Sequence, residues 1–188
     1  MRKAICQPAN IFARNNGLVS IDMPANGLLP KKVVEVAYQI LEENPQVLFT
    51  IGLSLDGLEE THNRIRGVKG NWDKSMETLQ RLGELRAQRM ERHRQGKGPK
   101  PNLRLMTLTC INNQNIGEIE ALAEHMEQYP ELDGMTFECL RGNPKDPSLA
   151  PPTPEQFDRV IEMSMAVNSR LHERRFPEWR SQWLAFTR

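Results

Sequence analysis

Four short polar clusters carry most of the side chains able to do chemistry, and each follows an apolar run. Pro24-Ala25-Asn26-Gly27 follows residues 18–23. Ser54-Leu55-Asp56-Gly57 closes residues 47–55, with His62 and Arg66-Gly67 a short way on. Asn112-Asn113-Gln114-Asn115 follows residues 103–111, and Arg141-Gly142-Asn143 follows residues 135–140. Singly these are weak signals: Asn-Gly and Asp-Gly are ordinary turn pairs, Asn115 can cap a helix, and Arg141 can pair with a surface carboxylate. Together they supply short acceptors, amides and one or two guanidinium groups, a set suited to a ligand with hydroxyls, an amine and a carboxylate. Asp56 can accept from a ribose diol, and Arg66 or Arg141 can hold a carboxylate. No Gly-x-Gly-x-x-Gly or Walker loop is present to favour a dinucleotide or a nucleoside triphosphate. His62 and His125 have no partner at metal-binding spacing, and no Ser-His-Asp or Cys-His arrangement can be supported.

The elements that must position these clusters follow from periodicity. The four apolar runs read as buried strands. Between them lie helical patterns: Val33, Val34, Ala37, Ile40 and Leu41 behind Pro30 at a first helical position; Trp72, Met76, Leu79 and Leu82 from about Asn71; and Ile119, Leu122, Ala123 and Met126. Asn115 and Glu118 predict a capping box for the third helix. Thr153, Pro154 and Gln156 predict another, with Phe157, Val160, Ile161 and Ser164 facing inward behind it. The order β-α-β-α-β-α-β-α implies a mostly parallel sheet with right-handed crossovers. Ligands of such sheets sit at the carboxyl ends of the strands, and all four polar clusters fall on that edge.

The 188 residues and their 38% hydrophobic and 26% charged fractions fit one ordinary globular domain. A formal net charge of +1 offers no global reason to expect nucleic acid or an anionic membrane. No apolar run approaches the ~20 residues of a membrane span, and the first residues lack the apolar core of a signal peptide. Residues 86–104 carry seven bases and one acid and read as a frayed helix end with a solvated loop, because no aromatic residues interleave the charges. Cys6, Cys110 and Cys139 form no disulfide framework or metal motif, and a reducing cytoplasm is the default. Period-2 alternation from Asn112 and Arg141 points Cys110 and Cys139 to one common side, most simply as buried thiols that pack as small hydrophobes.

The runs NGLLPKKV, TIGLSLDGLEETHNRIRGVKGNWDKSMETLQRL, INNQNIGEIEAL and LRGNPKDPSL, in that order, resemble the later part of the radical S-adenosylmethionine (SAM) domain, in the type associated with a SPASM region. The resemblance covers roughly residues 10–165. It implies a partial (β/α)6 barrel of which this chain holds strands three to six, residues 1–176 being a partial radical SAM domain and 177–188 a tail. It implies SAM on the rim, with Ser54 and Asp56 near the ribose, Asn26 in the strand-three motif, Asn112 and Asn115 after strand five, and Arg66 toward the SAM carboxylate. It also implies a [4Fe–4S] cluster, yet the Cys-x3-Cys-x2-Cys loop that would hold it is absent, as is a Gly-Gly-Glu-Pro motif. The expectation is therefore an N- and C-terminally truncated piece of a radical SAM enzyme, with SAM as its small-molecule partner and the remaining half or a partner chain supplying the cluster. Its substrate is open. A cluster-free α/β module binding a nucleoside, or an inactive remnant whose polar clusters are only turns and caps, are the alternatives.

Overall fold

The computed structural model describes residues 6–15, 17–144 and 146–175. The elements are α1 (Cys6–Asn15), β1 (Ser20–Ala25), α2 (Pro30–Glu43), β2 (Leu48–Ser54), α3 (Glu59–Arg66), α4 (Asn71–Arg94) and β3 (Leu103–Ile111). After these come a 3-10 turn (Ile116–Glu118), α5 (Ile119–Glu127), β4 (Gly134–Cys139) and α6 (Pro154–Arg175). The four strands form one sheet in the order β1-β2-β3-β4, and every neighbouring pair is parallel. The protein is thus α/β with crossover helices, an arrangement compatible with a partial barrel. Residues 177–188 lie outside the described residues.

Strand register divides the sheet into two faces. Ala25, Leu53, Thr107 and Met135 stand in one row. They belong to the face that carries Phe49, Ile51, Leu103 and Leu105, buried with Val33 and Ile40 of α2, Leu79 and Leu82 of α4, and Leu122 of α5. Each such side chain taken fully out of water stabilises the fold by ~1.5–3 kcal/mol. The next row, Pro24, Gly52, Met106 and Gly134, lies on the opposite, more open face. There Pro24, Asp22, Arg104 and Glu138 are exposed, while Met106 and Leu108 are half-buried. Those two side chains fold over glycines on neighbouring strands. A Cβ on Gly52 would stand 2.6 Å from Leu108 Cδ1, and one on Gly134 would stand 2.6 Å from Met106 Cε. Ile51, Leu53 and Leu105 are therefore fully covered by helices, and only Met106 and Leu108 need cover on the open side.

Several local readings change. β1 starts at Ser20 and runs through Pro24, two residues later than periodicity placed it. At a sheet edge a residue without an N–H can turn that gap outward. The segment between β2 and α4 folds into a helix, α3, that its polar sequence did not announce. The capping box at Asn115 and Glu118 does not form, because Glu118 accepts from Leu58 and Thr61 and Asn115 bonds Asn112 and the Asp56 carbonyl instead. The Thr153 box does form: Thr153 N–H donates to Gln156 Oε1 at 2.9 Å, and Gln156 N–H donates to Thr153 Oγ1 at 3.3 Å. The basic segment is helical to Arg94, and its first two arginines are not solvated. Arg89 is buried against Glu42 and the Leu41 carbonyl, and Arg86 pairs with Asp133 at 2.5 Å.

Candidate functional site

Two loops at the carboxyl ends of β2 and β3 are locked into one body. Thr61 Oγ1 at the start of α3 donates to Glu118 Oε1 at 2.6 Å, and Leu58 N–H donates to Glu118 Oε2 at 3.3 Å. That carboxylate therefore caps the N-terminus of α3 from across the rim, where a negative charge also faces the favourable end of the helix dipole. Arg64 donates to Gln114 Oε1 at 3.0 Å. Asn115 Nδ2 donates at 2.9 Å to the carbonyls of both Asp56 and Cys110, while its Oδ1 accepts Asn112 N–H at 2.8 Å.

Asp56 is the hub. It is 3% exposed. Its Oδ1 accepts Cys110 N–H at 3.2 Å, its Oδ2 lies 2.6 Å from Arg66 Nε, and its own N–H donates to His62 Nδ1 at 3.1 Å. A buried carboxylate is tolerated only when paired and hydrogen-bonded in this way. Burial drives the His62 imidazole down to about 4, helped by the Arg66 charge and opposed by Asp56 and Asn71. His62 is therefore neutral near pH 7 and can accept at Nδ1.

The structure brings Asp56, Arg66, Asn112 and Asn115 together at the ends of β2 and β3. Asn112 and Asn115 are buried with their amides engaged internally: Asn112 Nδ2 donates to the Cys110 carbonyl at 3.2 Å and its Oδ1 accepts Gln114 N–H at 2.8 Å. Arg66 is different, with its side chain 30% exposed beyond the Asp56 pair. Asn26 and Ser54 form a second group. They line a cleft of about 600 Å3 at the ends of β1 and β2, with Pro24, Ala25, Leu28, Leu29 and Val33. Asn26 Oδ1 accepts Leu28 N–H at 3.3 Å in a local turn. The turn continues through Gly27, whose φ is +71° and whose Cβ would stand 2.4 Å from Ser75 Oγ, so only glycine fits there. Among the described residues the half-buried Ser54 hydroxyl meets no internal partner, which leaves it for the cleft. Arg141 stays at the surface beside Glu138 at 3.6 Å.

His62 and Glu118 are the residues whose part sequence reasoning missed. Local sequence marks Glu118 only as a capping-box residue of its own helix, since the groups it caps are about sixty residues away. The two strand cysteines also separate. Cys110 pairs in register with Glu138 on the open face, whereas Cys139 pairs with Ile111 on the helix-covered face. Cys6 is buried on α1, with its Sγ donating to Gln39 at 3.2 Å. Among the described residues no three His, Cys, Asp or Glu side chains converge to hold a metal ion, and none of their helices is long and apolar enough to cross a membrane. These residues do not fit an iron–sulfur cluster. They do offer a ligand the open cleft, an unpaired hydroxyl and a part-exposed guanidinium on one rim.

No family model matches the chain. The chain spans 39% of the length of a curated relative to which it is similar over 94% of its own residues at 28% identity, the Fe-coproporphyrin III synthase of Methanosarcina barkeri.

Proposed function

We propose that this chain is part of a radical SAM enzyme and contributes the rim that binds the adenosine portion of SAM. The observation that carries the reading is the unpaired Ser54 hydroxyl in an open cleft, next to a rim already fixed by Asp56. Support comes from the order of the four sequence runs and from the similarity to a radical SAM family member. In this reading Ser54 and Asn26 meet the ligand from β1 and β2, and the exposed part of Arg66 takes its carboxylate. Asp56, Asn112 and Asn115 form the buried wall that fixes Arg66 and the strand ends. A [4Fe–4S] cluster, where one is bound, would supply the electron for reductive cleavage of SAM. The described cysteines do not converge to hold such a cluster, so a Cys-x3-Cys-x2-Cys segment would have to hold it. The substrate is left open. The relative's name offers iron coproporphyrin chemistry as the first class to try.

The experiment is anaerobic assembly of the chain with a polypeptide carrying that cysteine motif, followed by SAM, dithionite and assay for 5′-deoxyadenosine. Product above the level given by the motif-bearing polypeptide by itself, and lost with Ser54→Ala combined with Arg66→Ala, is the expected result. SAM bound by the chain but never cleaved in the assembly would instead favour a cluster-free nucleoside-binding module.

A further inference from the structure

The rim depends on where Asp56 is held, and one buried group outside the proposed ligand contacts takes its backbone N–H. His62 is 0% exposed. It lies on the first turns of α3, edge-on to Trp72 with ring centroids 6.1 Å apart and an interplanar angle of 68°. Its Nδ1 accepts the Asp56 N–H at 3.1 Å, while its Nε2 is buried without a hydrogen-bond partner among the described residues. An orphaned buried nitrogen costs free energy, so a ring that only filled space would be better replaced by an apolar one. What the imidazole supplies is the acceptor at Nδ1. Asp56 is two residues past the end of β2; Thr109 Oγ1 donates to the Leu55 carbonyl at 2.7 Å and Asn115 Nδ2 to the Asp56 carbonyl at 2.9 Å, which leaves the Asp56 N–H to be held by His62. The His62 bond completes the anchoring of that peptide, whose side chain meets Cys110 N–H and Arg66 together.

We infer that His62 is a positioning residue of the rim: its Nδ1 acceptor anchors the Asp56 backbone and thereby places the Asp56–Arg66 pair. The inference rests on the SAM-rim reading for its functional meaning but not for its geometry. His62 touches no ligand in this account and acts only through Asp56. The groups facing it are Asp56 and Arg66 from the rim and Asn71 and Trp72 from the start of α4.

Two substitutions separate the acceptor from the ring. His62→Asn puts an amide oxygen near the Nδ1 position and loses the ring, whereas His62→Phe keeps the ring and loses the acceptor. In the full chain, His62→Phe is expected to speed amide exchange at Asp56 and Cys110 at least tenfold and to weaken SAM binding at least tenfold. His62→Asn is expected to restore most of both. Exchange unchanged in His62→Phe, or no better in His62→Asn than in His62→Phe, overturns the inference. Nitrogen NMR of the unsubstituted chain decides the matter even if neither variant folds: a protonated Nδ1 cannot accept the Asp56 N–H and would overturn it. Failure of the wild-type chain to bind SAM would count against the proposed function and leave the exchange and tautomer results to decide this inference.

Discussion

Ser54 and Asp56 are two positions apart in the chain and carry opposite obligations. Every polar atom of Asp56 described above is engaged inside the protein, whereas the Ser54 hydroxyl meets only the cleft. Ser54→Ala is therefore expected to leave the melting temperature within about 1 °C and to weaken SAM binding by ~0.5–1.5 kcal/mol, the loss of one hydrogen bond. Asp56→Ala strands a buried N–H at Cys110 and unpairs Arg66, so thermal melting should show a loss of ~1–3 kcal/mol of stability together with a similar loss of SAM affinity. His62 adds a pH dependence. Its folded-state pKa of about 4 lies below the ordinary 6.5, so the unfolded chain binds the extra proton between those values. The associated stability is fully present above about pH 6.5 and is lost as pH falls toward 4, in total by ~3 kcal/mol. Denaturant titrations across that window should show the slope, and His62→Phe should flatten it. At this scale the sequence was partly legible. Residue type and position after an apolar run marked Ser54, Asp56 and Arg66. Nothing local told that Asn112 and Asn115 spend their amides on the loops or that Glu118 caps a distant helix, because those partners are chosen by the fold.

The elements were more legible, since burial imposes periodicity directly. The stripe behind Pro30 and the apolar runs of β2 and β3 report two-sided or one-sided burial and can be read without a structure. α3 could not be read in this way: its eight residues EETHNRIR bury only Thr61 and His62 and carry no apolar stripe. The face of Cys139 was misread for a related reason. The chain leaves strand geometry after Cys139, so counting back in twos from Arg141 has no meaning there. Two element-scale devices can be tested. Asn168 of α6 donates from Nδ2 to the Met135 carbonyl at 2.9 Å and accepts Met135 N–H at Oδ1 at 2.8 Å, which covers the outer edge of β4 as a neighbouring strand would. Asn168→Ala should cost ~1–3 kcal/mol by chemical denaturation and expose Met135 to amide exchange. Gly27→Ala forces a side chain into a left-handed turn against the Ser75 backbone, 2.7 Å away. It should cost ~2–5 kcal/mol, and an unchanged melting curve would show that the turn can move.

At the scale of the whole molecule the two sheet edges differ. β4 is covered by Asn168, whereas β1 pairs only with β2 among the described residues. Val19, one residue before β1, is 79% exposed, and on α1 Ile11 and Phe12 are 52% and 57% exposed. Pro24 protects the last part of this edge, and residues 20–23 remain a template for another strand. Light scattering on the isolated chain should therefore show concentration-dependent self-association, reduced by Val19→Lys at the exposed start of this edge; a monodisperse monomer at micromolar concentration would show that the edge is self-sufficient. We propose SAM binding at the carboxyl ends of β1 to β3. Its most direct test is NMR mapping of SAM added to the isotopically labelled chain. Shifts are expected at residues 24–27, 54–57 and 110–115 and at the Arg66 side chain, absent in Ser54→Ala combined with Arg66→Ala. Shifts confined to the amino ends of the strands or to the outer helices would contradict it, as would no shift at millimolar SAM.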